Sequence, residues 1–258
     1  MDIKLTGRKA LITGGSKGLG LAIARIFAEA GADIAIMARQ QGPLDEAASA
    51  IEASSGRKAL PVVCDVRRAD EIAAGFAKVR QAFGHIDILV NNAGTSNAHP
   101  FETVTDEQWQ EDLDLKLFAA IRLTRLAWPH MKQRKWGRVI NVLNIGAKAP
   151  RPASAPTSVT RAAGMALTKV LAGEGAPHGI LVNALLVGFI ESDQWAQRAA
   201  KLGVPLADFL AKMGKEVPMG RVGAAQEFAN AACFLASDAA SYITGTAINV
   251  DGNRSPVV

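Results

Sequence analysis

The stretch Ala10–Ala32, ALITGGSKGLGLAIARIFAEAGA, decides the fold. It starts as an apolar strand, passes through a loop with Gly14, Gly18 and Gly20, and continues with the apolar spacing of an amphipathic helix. Glycine permits positive φ angles and close approach of the backbone to a ligand, and the first N–H groups of a helix attract phosphate. The spacing is Gly-x-x-x-Gly-x-Gly, not the commonest dinucleotide fingerprint. The strand before it and the helix after it nevertheless favour dinucleotide binding over a plain tight turn.

Short apolar runs alternate with helical patterns along the rest of the chain. The expected strands are Lys9–Thr13, Asp33–Ala38, Ala59–Val66, Ile86–Asn91, Arg138–Leu143, Ile180–Leu186 and Ala247–Val250. This alternation predicts an α/β fold, with a parallel sheet covered by helices on both faces. One domain over residues 1–258 suffices. The segment 189–223 is the least regular, and we expect it to form a small substrate lobe over a site.

Composition excludes several classes of protein. The chain has 258 residues, 49% hydrophobic and 21% charged, which is ordinary for a globular protein. The net charge of +5 is dispersed, and its densest cluster, Lys132, Arg134 and Lys135, follows a helical run where cations complement the helix dipole. We therefore expect no nucleic-acid partner. No run is long enough to span a membrane, and the polar N-terminus does not resemble a secretory signal. Cys64 and Cys233 fall in apolar segments, so a cytoplasmic protein without disulfides is expected.

The end of the second strand indicates which dinucleotide would bind. An acidic residue there would bind the ribose 2′-hydroxyl of NAD. The strand instead ends with Ala38 and Arg39, and Lys17 lies inside the glycine loop. Two cations suit a 2′-phosphate, so NADP(H) is preferred over NAD(H). The alternative is that Arg39 stacks on the adenine or points to water.

Six segments, the glycine loop among them, resemble the short-chain dehydrogenase/reductase family, and the resemblance covers essentially the whole chain. The matching pieces are TGGSKGLG (Thr13–Gly20), CDV (Cys64–Val66), NNAG (Asn91–Gly94), GRVINV (Gly137–Val142), GILVNALLVG (Gly179–Gly188) and SYITGTAINVDG (Ser241–Gly252). The resemblance implies a Rossmann-type, doubly wound sheet of about seven strands. It also implies a cofactor site formed by Thr13, Gly14, Ser16, Lys17, Gly18, Leu19, Gly20, Arg39, Asp65, Val66, Asn92, Ala93, Gly94, Arg161, Gly188, Ile190 and Ser192. A strand-end turn is the alternative interpretation of the two asparagines in NNAG.

The resemblance also implies hydride transfer between C4 of the nicotinamide and a carbonyl or alcohol carbon. In the family, a tyrosine, a lysine, a serine and an asparagine assist this reaction. The matching positions here are Thr157 for the tyrosine, Arg161 for the lysine, Asn144 for the serine and Lys116 for the asparagine. The chain contains one tyrosine, Tyr242, for which the resemblance implies a structural role.

The replaced site retains part of the expected chemistry. A threonine hydroxyl is a poor proton donor near neutral pH, whereas Arg161 can hold ribose hydroxyls and Asn144 can polarise a carbonyl. Lys116 has two possible functional roles: an acid with a lowered pKa in a dry cleft, or a partner of an anionic substrate. Alternatively it faces solvent or caps a carbonyl. Arg151 either faces the site or lies on a surface loop.

Three hypotheses for function follow. The first is an atypical NADP(H)-dependent oxidoreductase acting on a polar or anionic small molecule. The second is an inactive dinucleotide-binding protein, a sensor or an assembly subunit, and the third is a lyase or isomerase that reuses the pocket. His99, His130 and His178 show no spacing typical of a metal site. The resemblance further implies a homodimer or homotetramer built on helices near Asp106–Lys132 and Thr157–Gly175, where Met165, Leu167, Val170 and Leu171 serve the interface or the core.

Overall fold

The glycine-rich stretch folds as the sequence predicts. In the computed structural model, which describes residues 3–258, strand β1 (Lys9–Thr13) leads through the loop into helix α1 (Gly18–Glu29). Gly14 and Gly18 have φ angles of +66° and +57°, in the region where a side chain would be strained. The loop thus depends on glycine where the sequence places it.

Seven strands form the main sheet within the described residues. They are β1, β2 (Asp33–Ala38), β3 (Ala59–Val63), β4 (Ile88–Asn91), β6 (Gly137–Asn144), β8 (Ile180–Val187) and β9 (Ala247–Val250). Their order is β3-β2-β1-β4-β6-β8-β9, and all neighbours are parallel. The order reverses between β1 and β4, which opens a crevice at the carboxyl ends of the strands. The Rossmann-type, doubly wound fold is confirmed.

Helices cover both faces of the sheet, and each face has its own apolar core. One face is covered by α1, α2 (Gln41–Ser55) and α9 (Ala225–Ala236), whose Phe27, Ile51 and Phe228 are fully buried. The other is covered by α3 (Ala69–Phe83), α5 (Ala119–Arg134) and α6 (Thr157–Gly175). β6 and β8 are buried along almost their whole length, as expected for strands covered on both sides.

Two irregular features lie next to the crevice. The single helix predicted near Asp106–Lys132 is instead α4 (Asp106–Leu113), a π-helical turn (Asp114–Phe118) and α5. An inserted π turn is common at functional sites and leaves no clear signature in apolar spacing. A two-stranded antiparallel ribbon, β5 (Ala98–His99) and β7 (Ala155–Pro156), ties the segment after NNAG to the start of α6.

The segment 189–223 carries two short helices, α7 (Asp193–Lys201) and α8 (Leu206–Gly214). Trp195 joins them to the strand end, because its ring lies 5.7 Å from that of Phe189 and 6.3 Å from that of Phe209. Its Nε1 donates to the Ile190 carbonyl at 2.9 Å. The predicted substrate lobe thus corresponds to a helical segment in which Trp195 contacts both Phe189 and Phe209. Its role remains a prediction.

The structure also bears on the predictions for the two cysteines, the tyrosine and a membrane span. Cys64 and Cys233 are free and buried, and burial raises the pKa of each thiol to about 11. Tyr242 is 101% exposed, and the structural role expected for it stays a prediction. Among residues 3–258, no helix combines the length and the apolar character needed to cross a bilayer.

Substituting Gly20 with alanine is expected to destabilise the fold by about 1–3 kcal/mol. A methyl group there would lie 2.2 Å from the Gly14 carbonyl oxygen, so the loop backbone has to move. Urea unfolding measures the loss. Gly42→Ala is the matched control, since a methyl group at this helical position meets nothing within 4 Å. Equal unfolding midpoints for the two variants would contradict the close packing of the loop against α1.

Candidate functional site

A cleft of about 960 Å³ lies at the carboxyl ends of the strands. Its lining brings together most of the predicted site residues: Gly14, Ser16, Lys17, Gly18, Leu19, Gly20, Arg39, Asp65, Val66, Asn92, Ala93, Gly94, Asn144, Thr157, Arg161, Gly188, Ile190 and Ser192. Thr13 and Lys116 lie just beneath it, where they line a separate cavity of about 10 Å³. Arg151 also lines the cleft, so it faces the site and is exposed.

One end of the cleft has the features of a phosphate cradle. The first residue of α1, Gly18, has open space where a side chain would project. Within the described chain no side chain caps the start of α1, so its first N–H groups remain available where Gly18, Leu19 and Gly20 line the cleft. Lys17 and Arg39 are exposed, and within the described chain neither head group forms a hydrogen bond or an ion pair. These residues fit a dinucleotide with an additional phosphate.

Thr13 fastens the end of β4 to the end of β1. Its Oγ1 accepts hydrogen bonds from the backbone N–H groups of Asn92 and Ala93, each at 2.9 Å, and donates to Val90 at 3.3 Å. The Asn92 side chain donates in return to the Thr13 carbonyl at 2.8 Å. Asn92 therefore fixes the glycine loop against NNAG, beyond a simple strand-end turn.

Asp65 lines the cleft and is held by Arg67, two residues later in the chain. Arg67 contacts both oxygens of the Asp65 carboxylate, with Nη2 to Oδ2 at 2.6 Å, and this contact lowers the pKa of Asp65. The backbone N–H of Asp65 donates a hydrogen bond to Glu71 Oε2 at 2.8 Å. Asp65 therefore has a fixed position in the lining of the cleft, beside Val66.

The opposite end of the cleft holds a buried polar chain, formed by the side chains of Asp112, Lys116 and Thr157, which contact one another in this order. Lys116 lies in the π turn with a side chain only 2% exposed, and its Nζ donates to Thr157 Oγ1 at 2.7 Å. The same Nζ also contacts Asp112 Oδ1, four residues earlier on α4. The alternative that Lys116 faces solvent is therefore wrong. Among described residues the Thr157 hydroxyl donates no hydrogen bond, so its proton is free to point into the cleft.

The electrostatics of Lys116 favour proton transfer near neutral pH. Burial, assisted by the positive charge of Arg161, lowers the pKa of Lys116 to about 8, while Asp112 opposes this shift. A lysine with such a pKa is an ammonium at pH 7 and gives up a proton far more readily than an exposed lysine does.

Arg161 lies one turn after Thr157 and is partly buried, with its Nε enclosed and unpartnered within the described chain. Its Nη1 donates to the Val142 carbonyl, and burial lowers its pKa to about 10. A methyl group on Gly94 would lie 2.6 Å from Arg161 Nη2, so a side chain at this position would displace the end of the guanidinium. The contact places Arg161 between the cofactor segment and the polar chain.

Asn144 ends β6 at the edge of the cleft, with its Oδ1 buried and unpartnered in the described part of the chain. Gly188 follows β8 on the other side, where a methyl group would lie 2.5 Å from Asp251 Cβ. Ile190 is buried and Ser192 half-buried behind it. Distinct elements thus bring the predicted residues to one cleft, although their roles remain predictions.

Sequence reasoning missed several residues of the cleft, among them Asp112, Ser158 and Arg254. Asp112 is the most consequential, and its only sequence signal was the four-residue spacing to Lys116, which is typical of many surface pairs. Ser158 is buried beside Thr157. Arg254 comes from the C-terminal segment, and its guanidinium stacks 3.6 Å above Phe189. Over residues 3–258 no three metal-binding side chains cluster.

Comparison with known proteins places this architecture among nucleotide-dependent reductases. The family model described as enoyl-(acyl carrier protein) reductase matches residues 14–252. A curated relative, gluconate 5-dehydrogenase of Gluconobacter oxydans, is 33% identical over 96% of this chain and 94% of its own.

Two solved structures are similar over nearly their full length. L-sorbose reductase from Gluconobacter frateurii, in complex with NADPH and L-sorbose, is 37% identical with a TM-score of 0.96 and covers 100% of both chains. An NADPH-bound short-chain oxidoreductase from Pseudomonas aeruginosa PAO1, described as containing an atypical catalytic center, is 36% identical with a TM-score of 0.92 over 99% of both chains.

Proposed function

Because this chain belongs to the short-chain dehydrogenase/reductase family, we propose that it is an NADP(H)-dependent oxidoreductase in which Lys116 and Thr157 replace the tyrosine acid. The observation that carries the proposal is the 2.7 Å hydrogen bond from Lys116 Nζ to Thr157 Oγ1 beneath the cleft. It couples a hydroxyl that reaches the cleft to a buried ammonium that can supply the proton.

The cofactor is NADP(H), in preference to NAD(H). Lys17 and Arg39 would hold the 2′-phosphate, and the loop Gly14–Gly20 with the start of α1 would hold the pyrophosphate. Arg161 takes the place of the family lysine at the nicotinamide ribose. NADPH complexes of L-sorbose reductase and of the Pseudomonas aeruginosa oxidoreductase support this choice.

The residues of this chain divide the chemistry between them. NADPH, when bound, supplies the hydride that forms the new C–H bond at the carbonyl carbon. As negative charge develops on the carbonyl oxygen, Thr157 donates its hydroxyl proton to it and accepts a proton from Lys116 Nζ. Lys116 becomes a neutral amine and regains its proton from solvent. Asn144 can polarise the carbonyl through its amide N–H groups.

The proton transfer from Lys116 through Thr157 predicts how the reaction rate changes with pH. Reduction requires Lys116 as an ammonium, so its rate is expected to be full well below pH 8 and to fall as pH rises through about 8. Oxidation of the alcohol requires the neutral amine and is expected to rise over the same interval. Initial rates in both directions, measured from pH 6 to 10 in buffers of constant ionic strength, check this crossing.

The substrate class we propose is a polar, hydroxylated carbonyl compound, neutral or anionic. Arg151 and Arg254 line the same cleft as Thr157. Because Arg254 pairs with Glu216 at 3.0 Å, Arg151 is the cation that we propose for contact with an anionic substrate. Relatives that act on gluconate and on L-sorbose support a substrate of this kind.

NADPH consumption on a panel of keto-sugars, keto acids and simple ketones tests the proposal. We expect turnover with hydroxylated carbonyl compounds and none of comparable rate with NADH. Tight NADPH binding in a calorimeter without turnover on any carbonyl compound would instead favour the inactive dinucleotide-binding protein. Product formation without net NADPH oxidation would favour a lyase or isomerase.

We also propose a homodimer or homotetramer that uses the outer face of α6. Val159 and Val170 on this helix are 55% and 57% exposed, whereas Met165 and Leu171 pack into the cores and Leu167 lines the small cavity. Of the four apolar residues predicted for an interface or core, Val170 is therefore the one available to a partner. Light scattering of the purified chain and of Val170→Asp checks the assembly.

A further inference from the structure

We infer that Asp112 is a positioning residue that holds the Lys116 ammonium against Thr157 and keeps it protonated between turnovers. This inference rests on the proposed function, because it assigns Asp112 a task only if Lys116 supplies the proton. Asp112 itself acts through Lys116 and touches neither Thr157 nor the reacting atoms.

Asp112 and Lys116 form a buried pair, although their spacing is one that is typical of pairs on the surface of a helix. Asp112 and Lys116 are four residues apart, but each side chain is only 2% exposed. The residues lie in different helical segments, since α4 ends at Leu113 and the π turn that carries Lys116 starts at Asp114. Asp112, on the regular helix α4, thus contacts the amine of Lys116, whose backbone belongs to the π turn.

The carboxylate is poorly suited to a purely structural role. Its Oδ1 accepts from Lys116, but its buried Oδ2 has no hydrogen-bond partner in the described chain. An isolated buried ion pair seldom stabilises a fold as well as apolar side chains of the same size do, and an unsatisfied buried oxygen adds to the cost. A role in keeping Lys116 charged accounts for a carboxylate in this place.

The charged groups that face the Lys116 amine come from two elements. Asp112 approaches from α4 and favours the ammonium, whereas Arg161 approaches from α6 and disfavours it. Thr157 also faces the amine but carries no charge. Burial and Arg161 already lower the pKa of Lys116 to about 8, so removing Asp112 leaves only influences that lower it further.

Asp112→Asn tests the inference because it keeps the shape and removes the charge. The pH at which reduction falls to half its maximum is expected to move down by about one to three units, the range for loss of a neighbouring opposite charge. The KM for NADPH should stay unchanged. Asp112→Glu, which restores the carboxylate, should return the midpoint toward that of the wild type.

A second readout does not depend on turnover. The ¹³Cε resonance of Lys116, assigned by its loss in Lys116→Gln, should titrate near pH 8 in the wild type and at lower pH in Asp112→Asn. An unshifted midpoint in both the NMR titration and the rate profile would overturn the role of Asp112 alone. Full activity of Lys116→Gln would instead overturn the proposed proton source, whatever Asp112→Asn does.

Discussion

Lys116→Gln is expected to lower kcat for NADPH-dependent carbonyl reduction by about 10²–10⁴-fold, the usual contribution of a general acid. Glutamine keeps N–H groups that can donate hydrogen bonds to Asp112 and Thr157. Its neutral amide, however, is not an acid near neutral pH. The loss corresponds to roughly 3–5 kcal/mol of activation free energy. Since Lys116 lies beneath the cleft and not among its cofactor-lining residues, NADPH affinity should stay unchanged.

Steady-state kinetics combined with calorimetric titration of NADPH separate these two effects. Lys78→Gln, at an exposed position on α3, is the matched control and should retain wild-type kcat. A mutant that binds NADPH normally and reduces substrate at the wild-type rate would exclude Lys116 as the acid. Thr157→Val then shows whether the hydroxyl is required, because valine keeps the volume and removes the relay oxygen.

Replacing both Lys17 and Arg39 with alanine is expected to weaken NADPH binding by roughly 10²-fold or more. Each cation would form a charge-assisted hydrogen bond with the 2′-phosphate, and such bonds contribute about 1.5–3 kcal/mol each. NADH lacks this phosphate, so its affinity should change little. The ratio of the two dissociation constants therefore moves toward NADH.

The double variant Arg25→Ala, Lys78→Ala removes the same charge from exposed positions away from the cleft and controls for the general field of the protein. Dissociation constants are measured at two salt concentrations, because screening weakens exposed charges. An unchanged NADPH-to-NADH ratio in the Lys17→Ala, Arg39→Ala variant would show that these cations do not bind the phosphate. Arg39 would then fit the alternative of stacking on adenine or pointing to water.

The fold was predictable because its signals are local. The strand, the glycine loop and the helix in Ala10–Ala32 follow directly in sequence, and continuous apolar runs such as Ile180–Leu186 identify strands covered on both faces. The carboxyl end of β3, the start of β4 and the interior of the predicted helix Asp106–Lys132 were less accurate. A π turn changes backbone hydrogen bonding without changing the apolar pattern enough to be recognised.

The candidate site was predictable in its residue positions but not in its energetics. The family resemblance placed Lys116, Thr157 and Arg161 in the site. No local pattern states that Lys116 is buried or that its amine reaches Thr157. Asp112 escaped notice because a four-residue spacing is equally typical of solvent-exposed pairs. Arg254 joins the cleft only through the packing of the C-terminal segment on Phe189. Such long-range contacts leave no trace in sequence spacing.

Both native thiols are expected to react slowly with alkylating reagents. Cys64 and Cys233 are buried, and the raised pKa of each leaves little thiolate at neutral pH. A cysteine introduced on the exposed side of α8, as in Ala207→Cys, would therefore be the preferred site for a maleimide dye. Fluorescence from such a label offers a direct way to follow movement of the 189–223 segment during turnover, without first removing any natural cysteine.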